Sequence, residues 1–380
     1  MFDNEEPPMS TMTWTEADTE RSAPWHSESA TPAPTRIVVA DDRMTAETAY
    51  RLACEGTALL WRGDYHNARQ LLQAMGRRVD RKAPGPGDNP AESFRLQRRA
   101  RNHRARVLGK LIVQLEQDHT LALRRAPDVR KACDDVYGPS EGPMLIALTE
   151  LLGVLGAAQW REKGVRIPAL DATIYPHYGV FSPIRGEYLG LVAQAPLADD
   201  VRTAFDLGTG TGVLAALLAH RGVGHVMATD DSPRALACAR DNIDRLDLAR
   251  SVSIVGPTLF PDGRADLIVC NPPWLPARPT SAIEHGVYDQ DSAMLRGFLT
   301  GLAAHLEPGG EGWLILSDLA EHLGLRTRDD LLTLIEGAGL HVIDKTDTTP
   351  QHPRAKDTTD PLYAARAAEV TSLWRLAVTP

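Results

Sequence analysis

No apolar run in this 380-residue chain approaches the roughly 18 residues of a membrane span. Cysteine is scarce and scattered: Cys54, Cys133, Cys238 and Cys270 include no C-x-x-C pair, which excludes a disulfide framework and a thiolate metal site. His177, His285 and His341 show no ligand spacing and read as structural. The acidic N-terminus lacks the basic-then-apolar pattern of a signal peptide, so a cytoplasmic location is expected. Internal repeats are missing as well, which excludes solenoids and propellers. An excess of positive charge is lacking too: 41 Lys and Arg against 50 Asp and Glu leave a net charge of -9, which argues against polyanion binding by the whole surface.

What is present suffices for a large core and two domains. Residues 1 to 40 are rich in Pro, Ser, Thr and Glu, and their composition predicts a disordered tail. Residues 41 to 165 read as a helical domain that recognises substrate. Thr45 to Arg78 forms a helical hairpin broken at Gly63-Asp64, with Leu59, Leu60, Ala68, Leu71, Leu72 and Met75 at helical spacing. Ala83 to Pro90 is a loop by composition. A second helix is expected from Ser93 to Leu123, and a third from Pro143 to Trp160 with Leu145, Leu148, Leu151, Leu152 and Leu155 as its stripe. Between Arg77 and Lys131, 15 Lys and Arg face 6 Asp and Glu, a local basic excess inside an acidic molecule. Residues 166 to 380 differ. Short apolar runs at Thr203–Leu207, His225–Thr229, Val252–Val255, Ala265–Cys270, Gly312–Ser317, around Val342 and at Ser372–Val378 alternate with helical stretches. This β-α-β alternation predicts an α/β domain with a doubly wound, mostly parallel sheet.

Ala204-Phe-Asp-Leu-Gly-Thr-Gly-Thr-Gly-Val213 joins the first strand of that domain to its first helix. Glycines there let the backbone turn tightly and pass close to a ligand. The spacing is G-x-G-x-G, at Gly208, Gly210 and Gly212, and not the G-x-G-x-x-G of a pyrophosphate site. Asp206 just ahead of Gly208 and Thr209 would repel a pyrophosphate but suits a cationic methionine moiety. S-adenosylmethionine is therefore the expected cofactor, and no metal is. Asp230, with Asp231 beside it, ends the second strand about 20 residues on, where a carboxylate accepts both ribose hydroxyls of a nucleoside. A generic α/β turn with a helix-capping acid is the plainer alternative.

Ala265-Asp-Leu-Ile-Val-Cys-Asn-Pro-Pro-Trp274 ends the fourth strand at the sheet edge where such folds bind ligands. A planar nitrogen has its lone pair delocalised, so it must be oriented and its electron density drawn back before it attacks a methyl group. Asn271 Oδ1 can accept one N–H and the Pro272 carbonyl another, Pro272 and Pro273 hold an extended backbone, and Trp274 offers a flat face for stacking. Asn271 also borders the cofactor. The plainer alternative is a turn whose prolines only terminate the strand.

With both motifs in hand, the region from Val180 to Val378 resembles the class I, Rossmann-like methyltransferases of the small-domain type. That group includes release-factor glutamine methyltransferases and N-methylating enzymes of rRNA, tRNA and DNA bases. The resemblance implies that Asp206, Gly208, Gly210 and Asp230 hold the cofactor and that Asn271 to Trp274 take the acceptor. It further implies that Phe181 and Pro183 line the cofactor pocket. One departure stands out: Val255-Gly-Pro-Thr-Leu-Phe260 has no acid for the adenine amine, so Thr258 or a backbone carbonyl would replace it. Tyr288 and Asp289, in the loop after Trp274, are candidates for substrate contact. The arginines from Arg95 to Arg106 suit RNA phosphates or a solvated helix equally. The expected function is N-methylation of a macromolecule, an RNA base or a glutamine of a translation-associated protein. A small-molecule N-methyltransferase and a cofactor-binding protein without catalysis are the alternatives.

Overall fold

The structure, a computed structural model, describes residues 10–82, 84–183, 186–350, 357–358 and 360–380. It divides into two compact units, residues 1–85 with 96–159 and residues 86–95 with 160–380.

The first unit departs most from expectation. Thr11–Glu16 (β1) and Thr19–Pro24 (β2) pair as an antiparallel hairpin, and Arg36–Ala40 (β3) opens a sheet. The disordered reading of residues 1–40 is therefore corrected from residue 10 onward; residues 1–9 lie outside the described residues. Thr-Met-Thr-Trp-Thr alternates apolar and polar residues at strand period. Its Met12 and Trp14, with Ala23 and Trp25 opposite, pack on Ala58, Leu60, Ile112 and Leu145. The turn residues Ala17 and Asp18 both take positive φ, the hairpin-turn conformation, without the glycine that usually announces it.

The helical reading of residues 41–165 is corrected in the same way. The chain runs Ala46–Cys54 (α1), Thr57–Trp61 (β4), Tyr65–Asp80 (α2), Pro90–Leu108 (α3), Leu111–Leu115 (β5), Arg130–Tyr137 (α4), Met144–Ala147 (β6) and Leu148–Lys163 (α5). The result is a four-stranded sheet in the order β3-β4-β5-β6, parallel except for β6. Leu59, Leu60, Leu111, Ile112, Leu145 and Ile146 are fully buried. A strand buried on both faces is a continuous apolar run, and a run of five residues cannot be told from a helix segment by periodicity. Gly63-Asp64 does mark a boundary: Asp64 caps α2 by accepting the His66 N–H at 2.9 Å.

The second unit follows the predicted alternation closely. Val165–Ile167 (β7) and Ala172–Ile174 (β8) form a small hairpin ahead of Glu187–Gln194 (α6). Then come Thr203–Leu207 (β9), Val213–His220 (α7), His225–Thr229 (β10), Pro233–Arg245 (α8), Val252–Val255 (β11), Ala265–Cys270 (β12), Ala293–His305 (α9), Leu306–Ser317 (β13), Leu319–His322 (α10), Arg328–Gly337 (α11), Leu340–Thr348 (β14), Tyr363–Ala368 (α12) and Thr371–Val378 (β15). The seven-stranded sheet has the order β11-β10-β9-β12-β13-β15-β14, and only β15 runs against its neighbours.

Side chains alternate between its two faces. Ala204, Leu267, Val269, Trp313 and Ile315 join α6 and α7 on one side. Phe205, Leu207, Ile268, Cys270, Leu314 and Leu316 join α9 and α11 on the other. Both faces are covered, as parallel sheets require. After β9 the chain winds outward through β10 to β11 and then returns to place β12 beside β9. That reversal opens a crevice at the carboxyl ends of these strands.

Candidate active site

Three loops meet at this crevice because of strand register. Leu207 on β9 pairs with Thr229 on β10 and with Cys270 on β12, so Gly208, Asp230 and Asn271 each leave the sheet at the same level.

The glycine loop is held from below by Asp206. Its side chain is fully buried on the α7 face, where Oδ2 accepts the Thr209 hydroxyl at 2.6 Å and the Ala215 N–H at 3.0 Å. Burial, reinforced by Asp230, lifts its pKa to about 6. Oδ1 is buried as well and has no hydrogen-bond partner. A buried acceptor without a donor is costly unless a ligand supplies one, and a cationic amine would do so. Thr209 is buried, its N–H donating to the Thr229 carbonyl at 2.8 Å.

Gly210 and Gly212 need the conformational freedom the motif provides, at φ +54° and +80°. A Cβ on Gly212 would come within 3.3 Å of Ala239 on α8, whereas one on Gly210 would meet only open space. Gly212 is therefore a packing glycine, and Gly210 borders the crevice. Gly208 lies under the Met294 side chain at the start of α9.

Asp230 ties the loops together. Its Oδ2 accepts the Gly210 N–H and its Oδ1 the Ser232 N–H, both at 3.0 Å. Burial raises its pKa, against the pull of those backbone donors. Ser232 caps α8 with Pro233 in the first turn, and Asp231, though exposed, has its side chain against that of Asp230. Thr258 is exposed, and its hydroxyl donates to the Phe260 carbonyl at 2.8 Å. Asn242 on α8 is a residue the sequence reading missed. Its buried amide accepts the Tyr175 N–H at 2.7 Å and donates to the Thr211 carbonyl at 3.0 Å, joining the glycine loop to the chain entering the domain. Nothing in the sequence marks it, since the partners lie 31 and 67 residues away.

At the end of β12, the Trp274 indole N–H donates to Asn271 Oδ1 at 2.9 Å. Indole nitrogen is only a donor, so this bond fixes the amide with its oxygen toward Trp274 and leaves one oxygen lone pair. Trp274 is half-buried and packs against both core clusters, so it braces Asn271 more than it presents an open stacking face. Pro272 is buried and Pro273 half-buried. Phe181 is 37% exposed and lies against Gly286 in the loop that follows Trp274; Pro183 is buried, and Ile184 and Arg185 lie outside the described residues.

Tyr288 and Asp289 are not the substrate contacts expected. Tyr288 is 6% exposed inside a cluster with Leu275 and Leu319, and Asp289 is 7% exposed. Asp289 accepts the Met294 and Leu295 N–H groups at 3.0 and 3.1 Å, so it caps α9 from a distance. His177 Nε2 lies within hydrogen-bond distance of Asp241 Oδ2, at 3.1 Å, in a structural contact. Among the described residues no group of His, Cys, Asp and Glu is arranged to hold a metal ion, and no helix is long and apolar enough to cross a membrane.

Residues 171–328 match the family model described as methyltransferase small domain. A release factor glutamine methyltransferase of Cereibacter sphaeroides is 36% identical over 171 residues, which cover 41% of this chain and 58% of that protein. A release factor glutamine methyltransferase of Mycolicibacterium smegmatis is 40% identical over 121 residues, 30% of this chain and 42% of its own. A tRNA1(Val) (adenine(37)-N6)-methyltransferase of Cytophaga hutchinsonii is 29% identical over 133 residues, 33% and 56% respectively. The chain thus spans between two fifths and three fifths of the length of these curated relatives. Among solved structures, a methyltransferase of Pyrococcus furiosus aligns with 59% of this chain and 98% of its own at 17% identity and a TM-score of 0.41.

Proposed function

We propose that this protein is an S-adenosylmethionine-dependent N-methyltransferase acting on a planar nitrogen of a macromolecule, an RNA base amine in the first instance. The observation that carries the reading is the register that sets Gly208, Asp230 and Asn271 at one level on three adjacent strands. In that arrangement Asp206 Oδ1 is the acceptor for the cofactor's ammonium group, Gly210 gives the close backbone approach, and Asp230 serves the ribose. Thr209 and Gly212 hold the loop, Phe181 borders it, and Asp231 flanks Asp230 from the solvent side. The cofactor supplies a methyl group bound to a sulfonium sulfur. Asn271 Oδ1 and the Pro272 carbonyl accept the two N–H bonds of the incoming amine and align its lone pair with that methyl group. When bound, the cofactor would give up that methyl group from its sulfur to the oriented nitrogen, and the surplus proton would pass to water. Most of the acceleration on this account is positioning. Trp274 holds the Asn271 oxygen in place and Pro273 stiffens the turn.

The basic segment supports RNA as the acceptor class: on α3, Arg95, Arg99, Arg101, Arg104 and Arg106 are exposed, and an ion pair engages Arg104 with Asp80. Glutamine of a translation-associated protein is the second reading, favoured by the release factor glutamine methyltransferases of 36% and 40% identity. A cytoplasmic setting fits the free state of all four cysteines. Labelled cofactor and purified protein are added to an extract of cells lacking the gene. RNase-sensitive label supports RNA, protease-sensitive label supports the second reading, and label confined to small solutes overturns both.

A further inference from the structure

Arg326, in the connection from α10 to α11, is 9% exposed, and its Nε and Nη2 are buried with no hydrogen-bond partner. Nε and Nη2 form one edge of the guanidinium, the edge that grips an oxyanion with two parallel bonds. This chain uses the same edge repeatedly. Arg62 binds Glu16 with it, Arg125 binds Asp64, and Arg375 binds Glu311. At Arg326 that edge is unpartnered.

The neighbouring carboxylates do not close it. Glu321, Asp289 and Asp330 are near enough to act on Arg326 electrostatically. Both Glu321 oxygens accept Arg328 Nε, at 2.9 and 3.0 Å. The two Asp289 oxygens cap α9, and Asp330 completes the capping box of α11 with Thr327. Leaving two buried guanidinium donors without acceptors is unfavourable, and it persists where a ligand provides the acceptors. The position suits a substrate role. Leu325, next in the chain, packs into the cluster of Leu275, Tyr288 and Leu319, directly after Asn-Pro-Pro-Trp.

We propose that the Nε–Nη2 edge of Arg326 receives a backbone phosphate of the nucleotide whose base is methylated. The proposal rests on the RNA reading above. A nucleic-acid acceptor carries a phosphate at every residue, so any base delivered to Asn271 brings one along. A protein acceptor brings a carboxylate only where its own sequence supplies it.

The test uses the full chain and inorganic phosphate as the probe. Phosphate raises the Tm of the wild type saturably, acetate at equal concentration does not, and Arg326→Met abolishes the phosphate effect. Equal stabilisation of Arg326→Met, or none of the wild type, overturns the site; stabilisation by acetate in place of phosphate assigns the edge to a carboxylate and overturns the nucleotide. In phosphate-free buffer Arg326→Met holds or raises Tm, because two buried N–H donors without acceptors are removed. A fall of about 5 °C or more would mark Arg326 as a structural cation and sink the proposal. In methyl transfer to RNA, Arg326→Lys raises KM at least tenfold with little change in kcat, since a point charge replaces a fork; an unchanged KM overturns the role. Phosphate binding at Arg326 by a protein that methylates no RNA would uphold the anion site and overturn the RNA reading separately.

Discussion

At the scale of single residues the site is a set of committed and uncommitted lone pairs. Asp206 has one oxygen in use and one idle, and its pKa of about 6 stands above the ordinary 3.8 because the carboxylate is buried. Between about pH 4 and 6 the folded protein keeps a proton there that the unfolded chain has released. Stability from this group is therefore present below pH 4 and is lost as pH rises through 6, a change of roughly 2–3 kcal/mol. Asp206→Asn should remove that dependence: its stability advantage over the wild type grows from pH 4 to 6 and then levels off, as denaturant titrations at each pH would show. A flat difference would mean that the carboxylate is not buried as described. The acceptor residues make a separate prediction. Asn271→Ala should lose methyl transfer while cofactor binding, measured by calorimetry, stays within about threefold; Asp230→Ala should lose both. Trp274→Phe keeps the packing but frees the Asn271 amide, so kcat should fall with KM for the cofactor unchanged.

At the scale of elements, loops carry the function and the strand register aims them. Gly212 and Gly210 share the motif but not the constraint. Gly212→Ala forces a side chain against α8 at positive φ and should cost about 1–3 kcal/mol of stability. Gly210→Ala meets open space, so its cost is the conformational strain alone, about 1–2 kcal/mol, while its methyl group intrudes on the crevice and weakens cofactor binding. Thermal melts of the two variants beside calorimetry separate these outcomes. The motifs were legible because each packs a strand end, a turn and a helix start into ten residues. Asn242, Asp289 and Arg326 were not, because their meaning comes from partners, or the lack of them, on other elements. Tyr288 was misread for the same reason: its sequence position beside the acceptor loop says nothing about the cluster that buries it.

At the scale of the molecule, charge is unevenly distributed: the chain is acidic, yet 15 of its cations fall between Arg77 and Lys131. If α3 contacts RNA phosphates, each arginine removed should reduce the slope of log affinity against log salt by about 0.7–0.9. Arg99→Ala with Arg101→Ala should lower it by about twice that, as filter binding over a salt series would measure. An unchanged slope would leave α3 a solvated helix and move the acceptor reading toward protein glutamine.

Sequence by itself determined the second unit: seven apolar runs alternating with helices, and two motifs at strand ends, specify a doubly wound sheet with its crevice at one edge. It did so because every signal there is local, a period of 2 or 3.6 or a turn that only glycine or proline permits. The first unit needed the tertiary structure. β4, β5 and β6 are short runs buried on both faces, where strand and helix segments look alike, and the β1–β2 hairpin turns without glycine. Tertiary structure alone also decided which polar atoms near the crevice are spent and which are free. Asp289 and Glu321 are spent on helix α9 and on Arg328, while Asp206 Oδ1 and the Arg326 edge are free. Hydrogen-bond satisfaction is a property of the three-dimensional neighbourhood, and no pattern along the chain records it.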